Sequence, residues 1–278
     1  MNILTFDIEE WYIYELYPKG GRSYYLPIID DYLGKILDRL DEVDTKATFF
    51  CLGAVARTDP KVIKKIAGRG HEIGCHSNNH LLINQMTPSA FKEDTHQSID
   101  SLEQLTGTKI EFYRAPAFSV TENTQWALEI LIEEGITCDS SIIPVKSRFG
   151  GFPSFKEMQP SVIEINGQLL KEFPISYATF LNKKLMFSGG GYFRLFPYWV
   201  IKKWMTQSDY NIAYFHIRDF DSQQKRVYSK NYFFSYYGIG GAFNKFNSLI
   251  KEFDFISMGS AIEQINWQKV PRIKLMGK

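Results

Sequence analysis

The sequence lacks the features that would assign it to several large functional classes. Lys and Arg number 32 against 31 Asp and Glu, a formal charge of +1. No basic surplus therefore supplies the electrostatic footprint of nucleic-acid binding, and no block of cations argues for an anionic membrane. No run of about 18 apolar residues occurs. The first residues show no positive flank, apolar core and small-residue cleavage site, so a cytoplasmic protein without transmembrane segments is expected. Only three cysteines are present, Cys51, Cys75 and Cys138. They are odd in number and form no CxxC pair, which suits reduced, buried thiols better than a disulfide framework. Histidine is equally scarce, at five. What is abundant is apolar: 44% hydrophobic residues, enough for a continuous core, and 15% aromatics. The rings pack a core in one reading and stack on sugar faces in another.

With no internal repeat, low-complexity tract or linker, residues 1–278 read as one domain. Up to about residue 140 strand-like and helix-like segments alternate. Strands are expected over residues 3–6, 47–52, 72–75, 111–113 and 137–140. Helices are expected over residues 28–41, from Pro60 behind Asp59 to Gly68, from Pro88 behind Thr87 to about residue 105, and from Thr121 to residue 134. Repeated units of this length favour a parallel sheet, open or closed into a barrel. Beyond residue 145 the rhythm loosens. Residues 162–165 and 169–175 form a hairpin around Asn166-Gly167; a helix follows Pro197, a strand covers 212–217, a helix 242–251, and a last strand 253–258.

The residues that could carry chemistry sit at the ends of these strands. TFDIEEW, residues 5–11, places Asp7, Glu9 and Glu10 just after an apolar strand, and HEIGCHSNNH, residues 71–80, places His76 and His80 four apart. That spacing lets two imidazoles meet one ion on a helical turn or a tight loop. Asp7 and Glu9, two apart on a strand, point to the same side and can share an ion. Arg114 in FYRAPAFS, Asp139 in TCDSS and His216 in YFHIRDFD stand at further strand ends. In a parallel α/β domain these ends open on one face, so the set reads as a metal shell with an acid/base pair.

Together these motifs resemble the polysaccharide deacetylases of the NodB-homology, carbohydrate esterase 4 type. TFDIEE stands at the acidic first motif, HSNNH matches the H(S/T)xxH second, RAP begins the third, Asp139 sits at the fourth and His216 at the fifth. CDSSIIP, EFPIS, SGGGYFRLFP and YFHIRDFD resemble the branch found in exopolysaccharide and surface-glycan loci. Two departures stand out: Asp7-Ile8-Glu9 replaces adjacent aspartates, and Phe118 replaces a common glycine, with no Trp after Asp139.

The resemblance implies a distorted (β/α) barrel with a less regular C-terminal third, and a divalent ion held by Glu9, His76 and His80. Zn2+ is the first choice, with Co2+, Ni2+ and Mn2+ as alternatives. It implies Asp7 as general base, exchangeable in role with Glu9, and Arg114 against Asp7, either as its activator or as a structural ion-pair partner. It implies His216, oriented by Asp139, as proton donor to the departing amine. Tyr192 and Arg194 would line the sugar pocket, while Gly189 to Gly191 could equally be a bulge where chain approaches chain. Glu10 is expected to be solvated or to stand behind the ligands, and His71 and His96 to be non-catalytic. The implied substrate is an N-acylated sugar on a glycan, lipid-linked or nucleotide-linked intermediate; no oligomeric state is implied. The competing readings are a deacylase or deformylase of a small non-glycan amide, and an inactive glycan-binding protein of the same fold.

Overall fold

The computed structural model describes residues 1–11, 29–226 and 232–275. Its centre is β1 (Asn2–Ile8), buried from Ile3 onward. A strand covered on both faces is what a parallel sheet flanked by helices demands, and the apolar run around Thr5 and Asp7 supplies it. On one side β1 pairs with β2 (Thr48–Cys51), and β3 (Glu72–Cys75), β4 (Phe112–Tyr113) and β5 (Cys138–Asp139) follow, all parallel. On its other side lies β10 (Asn211–His216), in register from Asn2 opposite Asn211 to Asp7 opposite His216. The antiparallel hairpin of β6 (Ser161–Ile165) and β7 (Gln168–Glu172) joins β5 through β7. The final strand β11 (Arg272–Leu275) is parallel to β6. The nine strands run β10-β1-β2-β3-β4-β5-β7-β6-β11, and among the described residues no ladder joins β10 to β11. This is a mixed α/β domain with a mainly parallel sheet.

The crossovers follow the sequence signals closely. Helix α1 (Ile29–Glu42) buries Leu33, Ile36, Leu37 and Leu40; the residue 28 at which it was expected to begin lies outside the described residues. Short α2 (Gly53–Thr58) was not anticipated; α3 (Pro60–Gly68) was. Helix α4 (Pro88–Thr106) starts where the Thr87 hydroxyl accepts the Ala90 N–H, and it ends at left-handed Gly107. Thr121 caps a 3-10 turn leading into α5 (Trp126–Glu133). In the hairpin, Asn166 and Gly167 adopt φ of 49° and 79°, the pair of left-handed residues that a two-residue turn needs.

The C-terminal part departs more. A small hairpin, β8 (Ala178–Phe180) and β9 (Lys183–Leu185), precedes α6 (Gly190–Leu195) and α7 (Tyr198–Thr206). After β10 come α8 (Tyr232–Tyr236) and α9 (Ile239–Glu252). The strand expected over residues 253–258 is a single bridge, Ile256 beside Ile3. Ser257 ends it, its hydroxyl accepting the Ser260 N–H and starting α10 (Met258–Gln264). All three cysteines are free and buried. No helix among the described residues is long and apolar enough to cross a membrane.

Candidate active site

Parallel strands deliver their carboxyl ends to one edge of the sheet, and there the site assembles. Asp7 ends β1 directly opposite His216 at the end of β10. Glu9 follows one turn of chain later, fully buried. Beyond β3 the chain turns sharply, with Ser77 and His80 at φ of 70° and 60°, so the two histidines share a tight loop rather than a helix. Helix α2 holds that loop: the Gly53 and Ala54 N–H groups donate to the carbonyls of Ser77 and Asn78 at 3.1 and 2.9 Å. Gly53 permits this approach, because a Cβ there would lie 2.5 Å from Asn78 Oδ1 and 2.8 Å from Ser98 Cα.

Glu9, His76 and His80 come together. One ligand atom from each lies within 4.8 Å of the others. His76 Nδ1 is 2.8 Å from the Arg114 carbonyl, which fixes the proton on Nδ1 and leaves the Nε2 lone pair for an ion. Burial lowers the His76 pKa to about 4, so the imidazole is neutral, as a ligand must be. Both Glu9 oxygens are buried without a hydrogen bond of good geometry. Among the described residues their charge contacts are Oε2 with His80 Nε2 at 2.7 Å and Oε1 with Arg218 Nη1 at 2.6 Å and, more distantly, with His216. Burial raises the Glu9 pKa, but Arg218 and His80 together hold it well below the ordinary range. An ionised, under-bonded carboxylate beside two imidazoles fits a divalent cation.

Arg114 does lie against Asp7. Its Nη1 donates to Asp7 Oδ1 at 2.9 Å and to Thr5 Oγ1 at 2.8 Å, while Nε and Nη2 are held by the carbonyl and hydroxyl of Ser140. Burial raises the Asp7 pKa, and Arg114, followed by His76 and His216, overrides this and keeps it below normal. Asp7 Oδ2 faces His216 Nε2 at 3.7 Å, and Glu9 Oε1 lies 3.6 Å from the same nitrogen.

The expectation that Asp139 orients His216 is not met. The carboxylate on His216 is Asp219, whose Oδ2 accepts from the His216 backbone N–H at 2.9 Å and lies 3.1 Å from Nδ1. Asp219 is held in turn by Arg194, and despite burial Arg194 and His216 hold its pKa far below normal. Asp139 instead accepts from the Ser141 hydroxyl at 2.5 Å and N–H at 3.1 Å, and Ser141 Oγ accepts the Ala115 N–H at 2.8 Å. Asp139 thus anchors the turn after Arg114. Burial raises its pKa and, more strongly, that of Glu172, on which the charge of Asp139 acts as well.

A cavity of about 390 Å³ opens over this edge, lined by Asp7, His80, His216, Trp11, Tyr192 and Arg194 among others. Arg194 reaches it mainly as the partner of Asp219. The glycine run before it is also a close approach: Gly189 bridges Tyr214, and a Cβ there would meet the Tyr214 carbonyl at 2.1 Å. Glu10 is not solvated; it is buried and accepts the Ile29 N–H at 3.3 Å. His71 packs on Phe49 with Nδ1 accepting the Ala47 N–H, and His96 is exposed against Glu134. Unforeseen participants are Asp219 and Arg218. The first left a signal, an acid three residues after His216 in the spacing that caps a short turn; the second left none.

Comparison with known proteins agrees with this architecture. A family model described as "Polysaccharide deacetylase" matches residues 3–132, and a "Domain of unknown function (DUF3473)" matches residues 140–263. Residues 3–132 therefore form a polysaccharide deacetylase domain of the NodB, carbohydrate esterase 4 type, and the associated DUF3473 region follows it. A peptidoglycan-N-acetylglucosamine deacetylase of Bacillus cereus is 29% identical over 122 residues, 40% of this chain and 44% of that protein. The peptidoglycan-N-acetylmuramic acid deacetylase PdaA of Bacillus subtilis is 27% identical over 110 residues, 40% and 39% of the two chains. The chain thus spans less than half the length of these relatives. Among solved structures, a putative polysaccharide deacetylase from Mycobacterium smegmatis superimposes over 98% of this chain and 92% of its own, with a TM-score of 0.67 at 20% identity. A carbohydrate esterase 4 pseudoenzyme from Bacillus anthracis covers 99% of this chain and 69% of its own, with a TM-score of 0.53 at 13% identity. These two likenesses concern the fold.

Proposed function

We propose that the protein hydrolyses the N-acyl amide, foremost N-acetyl, of a sugar on a glycan or on a lipid- or nucleotide-linked intermediate of surface-polysaccharide synthesis. The observation that carries this reading is the meeting of three kinds of group at one edge of the sheet: a Glu9/His76/His80 donor set, an ionised Asp7, and His216 with Nε2 toward Asp7 and Nδ1 on Asp219. Glu9, His76 and His80 would hold the divalent ion, Zn2+ foremost. When bound, such an ion polarises a carbonyl and lowers the pKa of water.

The chain's own residues do the remainder. Asp7, with Oδ1 on Arg114, uses Oδ2 to take a proton from the attacking water. Asp219 binds Nδ1–H of His216, so the ring points Nε2 into the site, and the proton it delivers is the one carried there. From Nε2 the proton passes to the departing nitrogen, which cannot leave as an amide anion. Tyr192 in the cavity wall offers a face for a sugar ring. Cytoplasmic residence is part of the same proposal, tested by cell fractionation.

Metal analysis of protein purified without chelator, together with acetate release from free and nucleotide-linked N-acetylhexosamines, tests the reading. Wild type carries close to one ion per chain and releases acetate, and His76→Ala and His80→Ala lose both. Metal-free wild type that still binds glycan would favour the inactive binder, and cleavage confined to small amides would favour the non-glycan deacylase.

A further inference from the structure

The near-zero net charge hides a local asymmetry. Between Asp139 and Glu157, and again between Glu172 and Asp209, the sequence has no acidic residue, yet the two tracts hold eight Lys and Arg. Parts of both tracts, around Lys146 to Phe149 and Lys183 to Arg194, border one side of the site. A cavity lined by Lys146, Lys183, Lys184, Leu185 and Tyr192 adjoins the site cavity, with Tyr192 common to both and Met186 in the site wall.

From this wall projects the β8–β9 hairpin. Phe180 pairs with Lys183, so its turn residues are Leu181 and Asn182, at φ of 48° and 58°. Leu181 is 81% exposed and Phe180 52% exposed. At about 3.3 Å per residue the tip stands roughly 15 Å beyond Met186. Leucine is unfavourable here twice over: a left-handed turn position suits Asn or Gly, and an exposed apolar tip gains nothing from folding. Helix α7, whose Trp204 meets Phe180 at 6.4 Å, leaves Trp199 69% exposed.

We infer that this hairpin docks the mouth of the site onto an anionic lipid surface, with Phe180 and Leu181 entering the interface and the lysines behind them meeting lipid headgroups. An anionic glycan could use the lysines but has no use for a leucine held in strained backbone at the tip. The inference sharpens the substrate class to a lipid-carried sugar, and in that respect rests on the deacylase reading.

Co-sedimentation of the full chain with phosphatidylcholine vesicles, with and without phosphatidylglycerol, tests it. The protein is expected to be retained by the anionic vesicles, with retention falling at least about fivefold on neutral ones and in Phe180→Ser and Leu181→Asn. Leu181→Asn should also unfold no earlier than wild type, since it relieves the turn, and both variants should cleave a soluble N-acetylhexosamine oligomer within about twofold of wild type. Absence of retention, or retention indifferent to both substitutions, overturns the inference. So does capture on an anionic polysaccharide that survives the tip substitutions and is lost in Lys183→Gln/Lys184→Gln. Vesicle retention requires no turnover, so its failure and that of the deacylase reading are told apart.

Discussion

Asp7 and Glu9 stand two residues apart and differ in what touches them. Asp7 has one oxygen on Arg114 and the other toward His216, whereas Glu9 has one oxygen on His80 and the other on Arg218, with His216 at 3.6 Å, and lies in the donor set with the two imidazoles. Asp7→Asn should therefore keep the ion and lower kcat roughly a hundred- to ten-thousandfold, read by metal content beside acetate release; loss of the ion would show that the two acids have exchanged roles. Two other aspartates make a matched test. Asp219→Asn should lower kcat at least about tenfold with little change in KM, because Nδ1 of His216 loses its carboxylate, and Asp139→Asn should act on stability instead. The family resemblance implied Asp139 as the acid on His216 and gave Asp219 no role. Only the turn over residues 217–220 reveals which one faces the ring. His71 gives a pH-dependent prediction. Burial, with Lys46 next, lowers its pKa from 6.5 to about 4, so below 6.5 the unfolded chain takes up a proton that the folded one refuses. Stability should fall as pH drops from 6.5 toward 4, by at most about 1.4 kcal/mol per unit. Urea unfolding across that window should show the slope, and His71→Gln should reduce it, leaving the share of His76, whose pKa burial lowers alike.

Among the elements, α2 matters more than its six residues suggest, since its first N–H groups hold the His76–His80 loop. Gly53→Ala would drive a methyl group into Asn78 and Ser98. It should cost about 1–3 kcal/mol of stability and weaken metal binding more than tenfold, measured by thermal unfolding and metal titration. The element signals were legible where caps and breakers were local, as at Thr87-Pro88, Asp59-Pro60 and Asn166-Gly167. They failed where a partner decides the outcome. Arg272–Leu275 becomes a strand only because β6 offers an edge, and the apolar stretch at Ile256 is cut short by Ser257 starting a helix. The β8–β9 turn was missed because leucine occupies it.

Across the whole molecule, β1 of the deacetylase segment is paired along six residues with β10 of the following region, and β5 is continued by β7. The two matched regions thus share one sheet, from which we propose that they unfold as one cooperative unit. Calorimetry should show a single unfolding transition with matching calorimetric and van't Hoff enthalpies; two separated peaks would divide the chain after all.

The pairing of β1 with β10 also bears on how the protein is made. A chain emerging from the ribosome exposes Asp7, the two imidazoles and Arg114 early, while the strand bearing His216 is synthesised far later. Under the proposed roles the nascent polypeptide stays inert until β10 is threaded beside the first strand, and any premature stop before that point removes both the amine's proton donor and the strand that completes the sheet.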